Sequence, residues 1–547
     1  MNHAARLKSI GPEPNFFGLD TNNIKSPSGK SEYLQAGSAV IQSDYGQLEN
    51  PDAIISTSVS EKGKLLNEFC DCYQGASTLD IERFRCGFWE IEDYAHWNYH
   101  QSTPSAGPLY SGLQFVSANR SEGTPFTREA SALKEEGRLG GAYSGRHAWG
   151  KLGVVCSWMS DLPASLYCGA VYDNMAAVFL PRKEEWLLPI YCYLSSPEYK
   201  SDVRKLNQKM QVANSTLAKV VFDLSKWKKV AEENFPDGFP KPYTDDASQW
   251  LFHGHPVDAS TGTSLHVALA RLCGYRWPAE SDSNLLLSDS AHEWVTKAEE
   301  LPPGDNDGLL GVSPVAGEKS LADRLRAYLA TAFGTDWSDA LERRLISEAD
   351  DFLDKKAARD GSLEAWVRDR AFRQHCALFG QRPFLWHISD GLKDGFSVFV
   401  HYHRFDQANL RKLTYTLLGD WLARAKAENN TLRYEKGREL QQKLEKILEG
   451  EKPYDIFVRW KSLAQQPLGW DPDLDDGVRQ NIRPFIKAGV LTHDLSKILK
   501  DKDRGKDVQS APWYDVFKGE RRNDHHTTLA EKRGAREAAA KQVEAAK

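Results

Sequence analysis

The sequence predicts an α+β protein in which a mixed α/β region is followed by a mainly helical one that carries a small β-hairpin. Three observations lead there. Between residues 80 and 222, short aromatic and β-branched runs such as GVVCSW and AAVFLP are separated by Gly, Pro, Asn and Asp, the texture of short strands. Across 319–376 the run LADRLRAYLATAF carries an apolar stripe at helical spacing, and the same periodicity returns at 407–450. Between those helical stretches FSVFVHYHRF alternates as a strand does, and DGLKDG just before it supplies Asp/Gly turn chemistry.

A length of 547 residues allows about three domains at roughly 100–200 residues each. Residues 1–79 mix polar loops with short helical patterns, the clearest at 61–73, and read as a connector rather than the start of a compact domain. The stretch 80–222 forms the α/β module, with a helix predicted over 197–211 because Val203, Leu206 and Met210 recur at i, i+3 and i+7. Residues 223–318 are a second connector. They are loop-rich, with one short helix around 265–273, and then a linker at 279–318 where Pro, Gly, Ser and acidic residues concentrate. The helical domain runs from 319 to 547 and ends, after about 526, in an Ala/Glu/Arg/Lys-rich helix expected to be exposed.

The formal net charge of −6 advertises neither nucleic acid nor membrane, so any nucleic-acid contact must come from local basic surface. Eight cysteines are scattered without a C-x-x-C pair, which argues against zinc ribbons and redox motifs and for reduced thiols. No apolar run approaches the length of a membrane span and no signal-peptide core opens the chain. The expectation is a bacterial cytoplasmic protein with no membrane partner.

His387, His401 and His403 invite a metal. On one strand His401 and His403 project from the same side, and His387, Asp390 or Asp394 would complete a ligand set, which is the basis for an alternative reading as a metal-dependent nuclease. The surrounding aromatics and the lack of an H-E-x-x-H spacing favour a packed hairpin whose histidines are satisfied by hydrogen bonds or solvent, so no metal is expected. The adjacent His525 and His526 would face about 100° apart on a helix and do not suit one ion; Asp524 and Glu531 suit a helix start.

Basic residues gather at 197–230, where Lys200, Arg204, Lys205, Lys209, Lys219, Lys226, Lys228 and Lys229 face few acids within the stretch. Arg204, Gln208 and Gln211 supply donors suited to phosphates or base edges, and the bland alternative is a solvated helix face. RHAWGK at 146–151 and ERFRCGFWE at 82–90 mix guanidinium groups, tryptophans and glycines, which suits phosphate binding with base stacking and equally suits loop packing. G-x-G-x-x-G, G-x-x-x-x-G-K-[ST] and G-x-S-x-G are all missing, and no complete catalytic constellation is visible; no catalytic or cofactor-binding residues are assigned.

Several stretches, among them CYQGASTLDIERFRCGFWE, HAWGKLGVVCSWMSDLPASLYCGAVYDNMAAVFLP, SQWLFHGHP and RPFLWHISDGLKDGFSVFVHYHRFDQANLRKLTYTLLGDWL, together resemble the large adenine-specific DNA methyltransferases of bacterial restriction-modification and phage-defence systems, including those of the DISARM and BREX type. The resemblance covers most of 65–537 in order. It departs at THDLSKILK, where a basic, tryptophan-containing stretch is usual, and at Met175, where a second Asn is common after Asp173-Asn174. Such enzymes carry methyl from S-adenosylmethionine to a flipped adenine, using a Gly-containing cofactor loop and an (Asn/Asp)-Pro-Pro-aromatic motif. Neither motif is in this sequence. The resemblance therefore implies the part downstream of the methylase core: a target-recognition region at 80–222 and the helical C-terminal region, with double-stranded DNA as partner, a nucleoid location, and S-adenosylmethionine held by a separate methylase polypeptide. The DNA-contact candidates under this reading are Arg83, Arg85, Arg146, Lys151, Arg204, Lys205, Gln208, Lys209 and Asn214. A third reading makes 319–450 an assembly module for other defence-system proteins.

Overall fold

The computed structural model describes residues 17–19, 24, 26–36, 40–42, 63–207, 209–354, 361–499 and 527–545. Their contacts fall into two compact units. The first is Met1–Leu79 with Tyr99–Leu113 and Arg120–Pro240; the second is Asp80–Asn98 with Gln114–Asn119 and Lys241–Lys547. Both mix helices with small sheets, so the α+β class holds.

The first unit is built on a four-stranded antiparallel sheet in the order Cys70–Gln74, Ala176–Pro181, Gly153–Ser157, Ala164–Tyr167. Register places Tyr73 opposite Val178 and Val178 opposite Val155, so these three share a face. That face packs Val155, Tyr167, Val178 and Leu180 with Tyr172 and Ala148, and Tyr73 and Trp149 lie against the cluster. The helix Leu187–Leu194, almost wholly buried, packs against three of the strands. Covered on both sides, the inner strands are apolar throughout, which is why GVVCS and AAVFL read as continuous runs rather than as an alternation.

Two local expectations change here. Of the helical pattern at 61–73, the described residues from 63 onward hold instead a short helical turn, Leu66–Glu68, followed by the strand Cys70–Gln74, because pairing with Ala176–Pro181 outweighs a weak local preference. The helix predicted over 197–211 is capped by Ser196, whose side chain accepts from the Tyr199 amide, but it ends at Leu206. Tyr199 and Val203 are buried as its periodicity requires, whereas Met210 lies beyond the helix and is exposed.

In the second unit the hairpin is present. Leu385–Ser389 pairs antiparallel with Ser397–His401 from Leu385↔His401 to Ser389↔Ser397. Asp390 shapes the turn, accepting from the Leu392 amide (3.0 Å) and the Phe396 amide (2.8 Å). A third strand, Leu309–Gly311, joins at Ser397–His401; it comes from the stretch whose composition reads as linker, where two leucines and a glycine find a sheet edge. The buried helix Ser264–Leu272 is surrounded by Leu321–Phe333, Asp339–Leu353 and Ala371–Leu378. Further on, Leu418–Ala427 packs on Thr431–Glu449, which Gly450 closes at a left-handed φ of 73°. The terminal helix Leu529–Ala545 is exposed along most of its length, but Lys532 is 1% exposed and its Nζ lies 2.7 Å from both the Asp455 carboxylate and the Ile456 carbonyl. Among the described residues no helix is long and apolar enough to cross a membrane.

Candidate nucleic-acid interface

Residues 138–151 lie over the Val155 face of the first unit as a succession of turns held by glycines and one arginine. Gly145 has φ +72°, and a Cβ there would overlap the Tyr172 hydroxyl and sit 2.6 Å from the Gln74 carbonyl oxygen. The Gly150 amide donates to the Gly169 carbonyl at 2.8 Å, with the two glycine backbones in close approach. Arg120, 9% exposed, stacks its guanidinium on Phe126 (4.5 Å) and Trp149 (5.7 Å) and donates to the Ala142 carbonyl at 3.4 Å. Burial lowers its pKa to about 10, which leaves it a cation at neutral pH. On this locked base Arg146, His147 and Lys151 are exposed. Lys151 also borders an open cavity of about 970 Å³ floored by Leu152, Leu180 and Leu187, with Lys183 and Glu184 among its polar lining. Arg120 was not among the sequence candidates: a lone arginine in SANRSEG carries no signal until the loop folds back over it.

Arg204, Lys205 and Lys209 lie beyond the far end of the five-residue strand Gly153–Ser157, roughly 17 Å away along the sheet. Arg204 donates to the backbone carbonyls of Ser160, Lys209 and Met210, so its fork serves the chain's own loops. Lys205 bonds Asp202 at 2.8 Å, and Lys209 is exposed. Asn214 is half-buried at the start of the short helix Asn214–Leu217, its carbonyl facing the Cys72 thiol at 3.7 Å. Gln208 lies outside the described residues. The basic run is less bare than its local sequence suggests: Lys200 pairs with Asp161, Lys226 with Glu198, and Lys228 with Glu185 at 3.8 Å. Exposed pairs of this kind contribute about 0–1 kcal/mol and are readily exchanged for a phosphate.

Arg83 and Arg85 belong to the second unit, lying over Phe84 (4.8 Å) and Phe115 (4.6 Å). With Arg382, Arg479, Glu90 and Asp475 they surround a space of only about 10 Å³, enough for a water at most. The fold therefore brings Arg146 and Lys151 together on one loop, and Arg204, Lys205 and Lys209 together at the other end of the sheet.

The hairpin histidines are packed into the second unit. His387 stacks on Phe399 (centroids 4.3 Å apart, 12° between planes) and its Nδ1 is 3.0 Å from the Thr492 hydroxyl. His403 Nε2 donates to the Trp89 carbonyl at 2.8 Å. His401 is 3% exposed beside Tyr275, its ring 5.0 Å from that of His403. Burial lowers His387 to about 3 and His403 to about 4, and pushes His401 well below the usual range, so all three are neutral at pH 7. Among the described residues no group of three or more His, Cys, Asp and Glu is placed to hold a metal. His525 and His526 lie outside the described residues. A further buried pair has no signature in the local sequence, its members being 109 residues apart: His375 Nδ1 lies 3.3 Å from His266 Nε2. His375 Nε2 accepts from the Phe384 and Leu385 amides, both at 3.0 Å, which puts the proton on Nδ1 and makes it the donor to His266. Burial pushes the Cys156 and Cys168 thiols up to about 12, leaving neither as a nucleophile at neutral pH.

Binding S-adenosylmethionine in a Rossmann-like domain requires parallel strands whose carboxyl ends receive the cofactor. The sheet of Cys70–Gln74, Ala176–Pro181, Gly153–Ser157 and Ala164–Tyr167 and the three-stranded sheet of the hairpin are antiparallel, so neither of these two presents that arrangement. What fold and surface define is an α+β protein with a displayed basic loop in one unit and a densely packed polar core in the other. No family model matches the chain. It is similar to the adenine-specific methyltransferase BrxX of Escherichia coli O9:H4 (strain HS), 25% identical over 214 residues, which are 36% of this chain and 17% of that protein. The match spans about a sixth of the length of that relative.

Proposed function

We propose that this chain is the DNA-recognition portion of an adenine-specific N6 DNA methyltransferase of a bacterial restriction-modification or phage-defence system, working on double-stranded DNA at the nucleoid. The observation that carries the reading is the loop 138–151, which Gly145, Gly150 and Arg120 fix to the sheet while Arg146 and Lys151 stay exposed. Cations on a rigid base neutralise phosphates without the entropy cost of ordering a loop, and they set the register in which nearby polar groups meet base edges. The similarity to an adenine-specific methyltransferase supports the choice of reaction. Methyl transfer itself is assigned to a separate S-adenosylmethionine-binding polypeptide. The purified chain is expected to shift duplex DNA with a steep salt dependence, and neither to bind S-adenosylmethionine nor to methylate until that polypeptide is added. Methyl transfer by the chain alone would overturn the split.

A further inference from the structure

Arg204 ties two loops together. Its guanidinium donates to the carbonyl of Ser160 in one loop and to those of Lys209 and Met210 in the other, the last at 3.4 Å. Ser160 and Leu162 both take left-handed backbone conformations, φ 51° and 53°, which side chains rarely adopt unless the surroundings impose them. The same two loops are joined by a bridge between Met159 and Gln211 and by the Val212 amide donating to the Trp158 carbonyl at 3.1 Å. The result is that residues 209–212 are tethered at one end of the sheet.

What that loop displays is an apolar side chain. Met210 is 69% exposed, the highest value among the exposed large hydrophobic side chains of the described residues. A continued helix would have placed it on the buried stripe of Tyr199 and Val203; the Arg204 bonds hold its backbone out of that course instead. Around it stand amines: Lys209 is exposed, and Lys200 and Lys205 pair at the surface with Asp161 and Asp202. A flexible apolar side chain on a stiff backbone among cations is the arrangement used to pry apart a base step while phosphates are neutralised on either side.

We propose that Met210 is a wedge that enters between base pairs of duplex DNA, and that Arg204 is the positioning residue that holds its loop. This rests on the DNA-recognition reading above. The test uses the full chain and duplexes selected by it from a random pool, carrying 2-aminopurine at successive steps, a base analogue whose emission rises on unstacking. Wild type is expected to raise emission at one step. Met210→Ala is expected to abolish the rise and weaken binding about tenfold while leaving the salt slope unchanged. Arg204→Lys and Arg204→Ala are expected to lose the rise alike, since an ammonium cannot reproduce the fork. If Arg204 instead touched a phosphate, Lys would preserve binding and Ala would lower the salt slope by about 1, which overturns the positioning role. Unchanged emission and affinity in Met210→Ala overturn the wedge and leave DNA recognition standing; a wild-type chain that binds no duplex overturns both.

Discussion

In the unit built on the Cys70–Gln74 sheet, Arg146, Lys151 and Lys209 stand exposed, and Lys200, Lys205 and Lys226 sit in surface pairs. In the unit that holds the hairpin, Arg271 is 1% exposed and donates to Tyr328, Gly254, Glu280 and Ala298; Lys532 closes on Asp455 out of solvent; and Glu90 accepts from the Gly87 amide, the Val478 amide and Arg382. The same residue types do different work in the two places. A buried ion that loses its partner destabilises the fold, whereas an exposed one can exchange partners at little cost. Polar chemistry in the second unit therefore goes into stability, whereas the first leaves Arg146, Lys151 and Lys209 exposed to solvent.

Acid should open the widest gap between the units. Burial lowers His253, His255 and His403 to about 4, and His266 and His387 to about 3, from an ordinary value of 6.5. The unfolded chain binds more protons than the folded one between those values, so stability is full above pH 6.5 and falls as pH drops through 6.5 toward the folded values. Each ring contributes up to ~1.4 kcal/mol per pH unit in that window, so the second unit should lose several kcal/mol between about pH 7 and pH 5. Urea midpoints across that range should show it, and His387→Phe, stacked against Phe399, should flatten the slope; an unchanged slope would contradict a neutral buried His387.

Arg271→Ala comes next, stripping a buried carboxylate, Glu280, of its partner at a cost of about 3–5 kcal/mol in denaturant unfolding. Arg271→Lys should recover only part, because one ammonium cannot serve four acceptors in three directions. Gly145→Ala is smaller, about 1–3 kcal/mol, from a left-handed backbone and contact with Gln74 and Tyr172; its sharper reading is a loss of DNA affinity as the loop lifts. Smallest for the fold is Lys151→Ala. Stability should stay within about 0.5 kcal/mol while the salt slope of DNA binding falls by about 1, the combination expected of an exposed phosphate contact. A Lys151→Ala change that destabilises without altering the slope would place Lys151 with the structural charges.

The inner strands Gly153–Ser157 and Ala176–Pro181, the Pro197–Leu206 and Ser264–Leu272 helices and the hairpin were legible because each is specified locally: Ser196 caps, Pro197 starts, Tyr199 and Val203 face inward, and Asp390 turns. The helix end was not, since nothing in NQKMQ announces that Arg204 will capture the carbonyls of Lys209 and Met210. Nor was the strand nature of Cys70–Gln74, whose partner lies about a hundred residues onward. For the candidate site, the sequence identified Arg146 and Lys151 as side chains of interest and missed Arg120 beneath them.

The sequence by itself determined the α+β class, the helical C-terminal region and the hairpin, because periodicity and turn chemistry act over a few residues. Only the tertiary structure decided what the charged and ionisable side chains do. Asp161 and Glu185 reach the basic run from outside it, Arg204 turns inward to its own backbone, and the hairpin histidines are closed in by Phe399, Trp89 and Tyr275. The physical reason is that a side chain's solvation and partners are set by residues far away in the chain, and no local pattern encodes them.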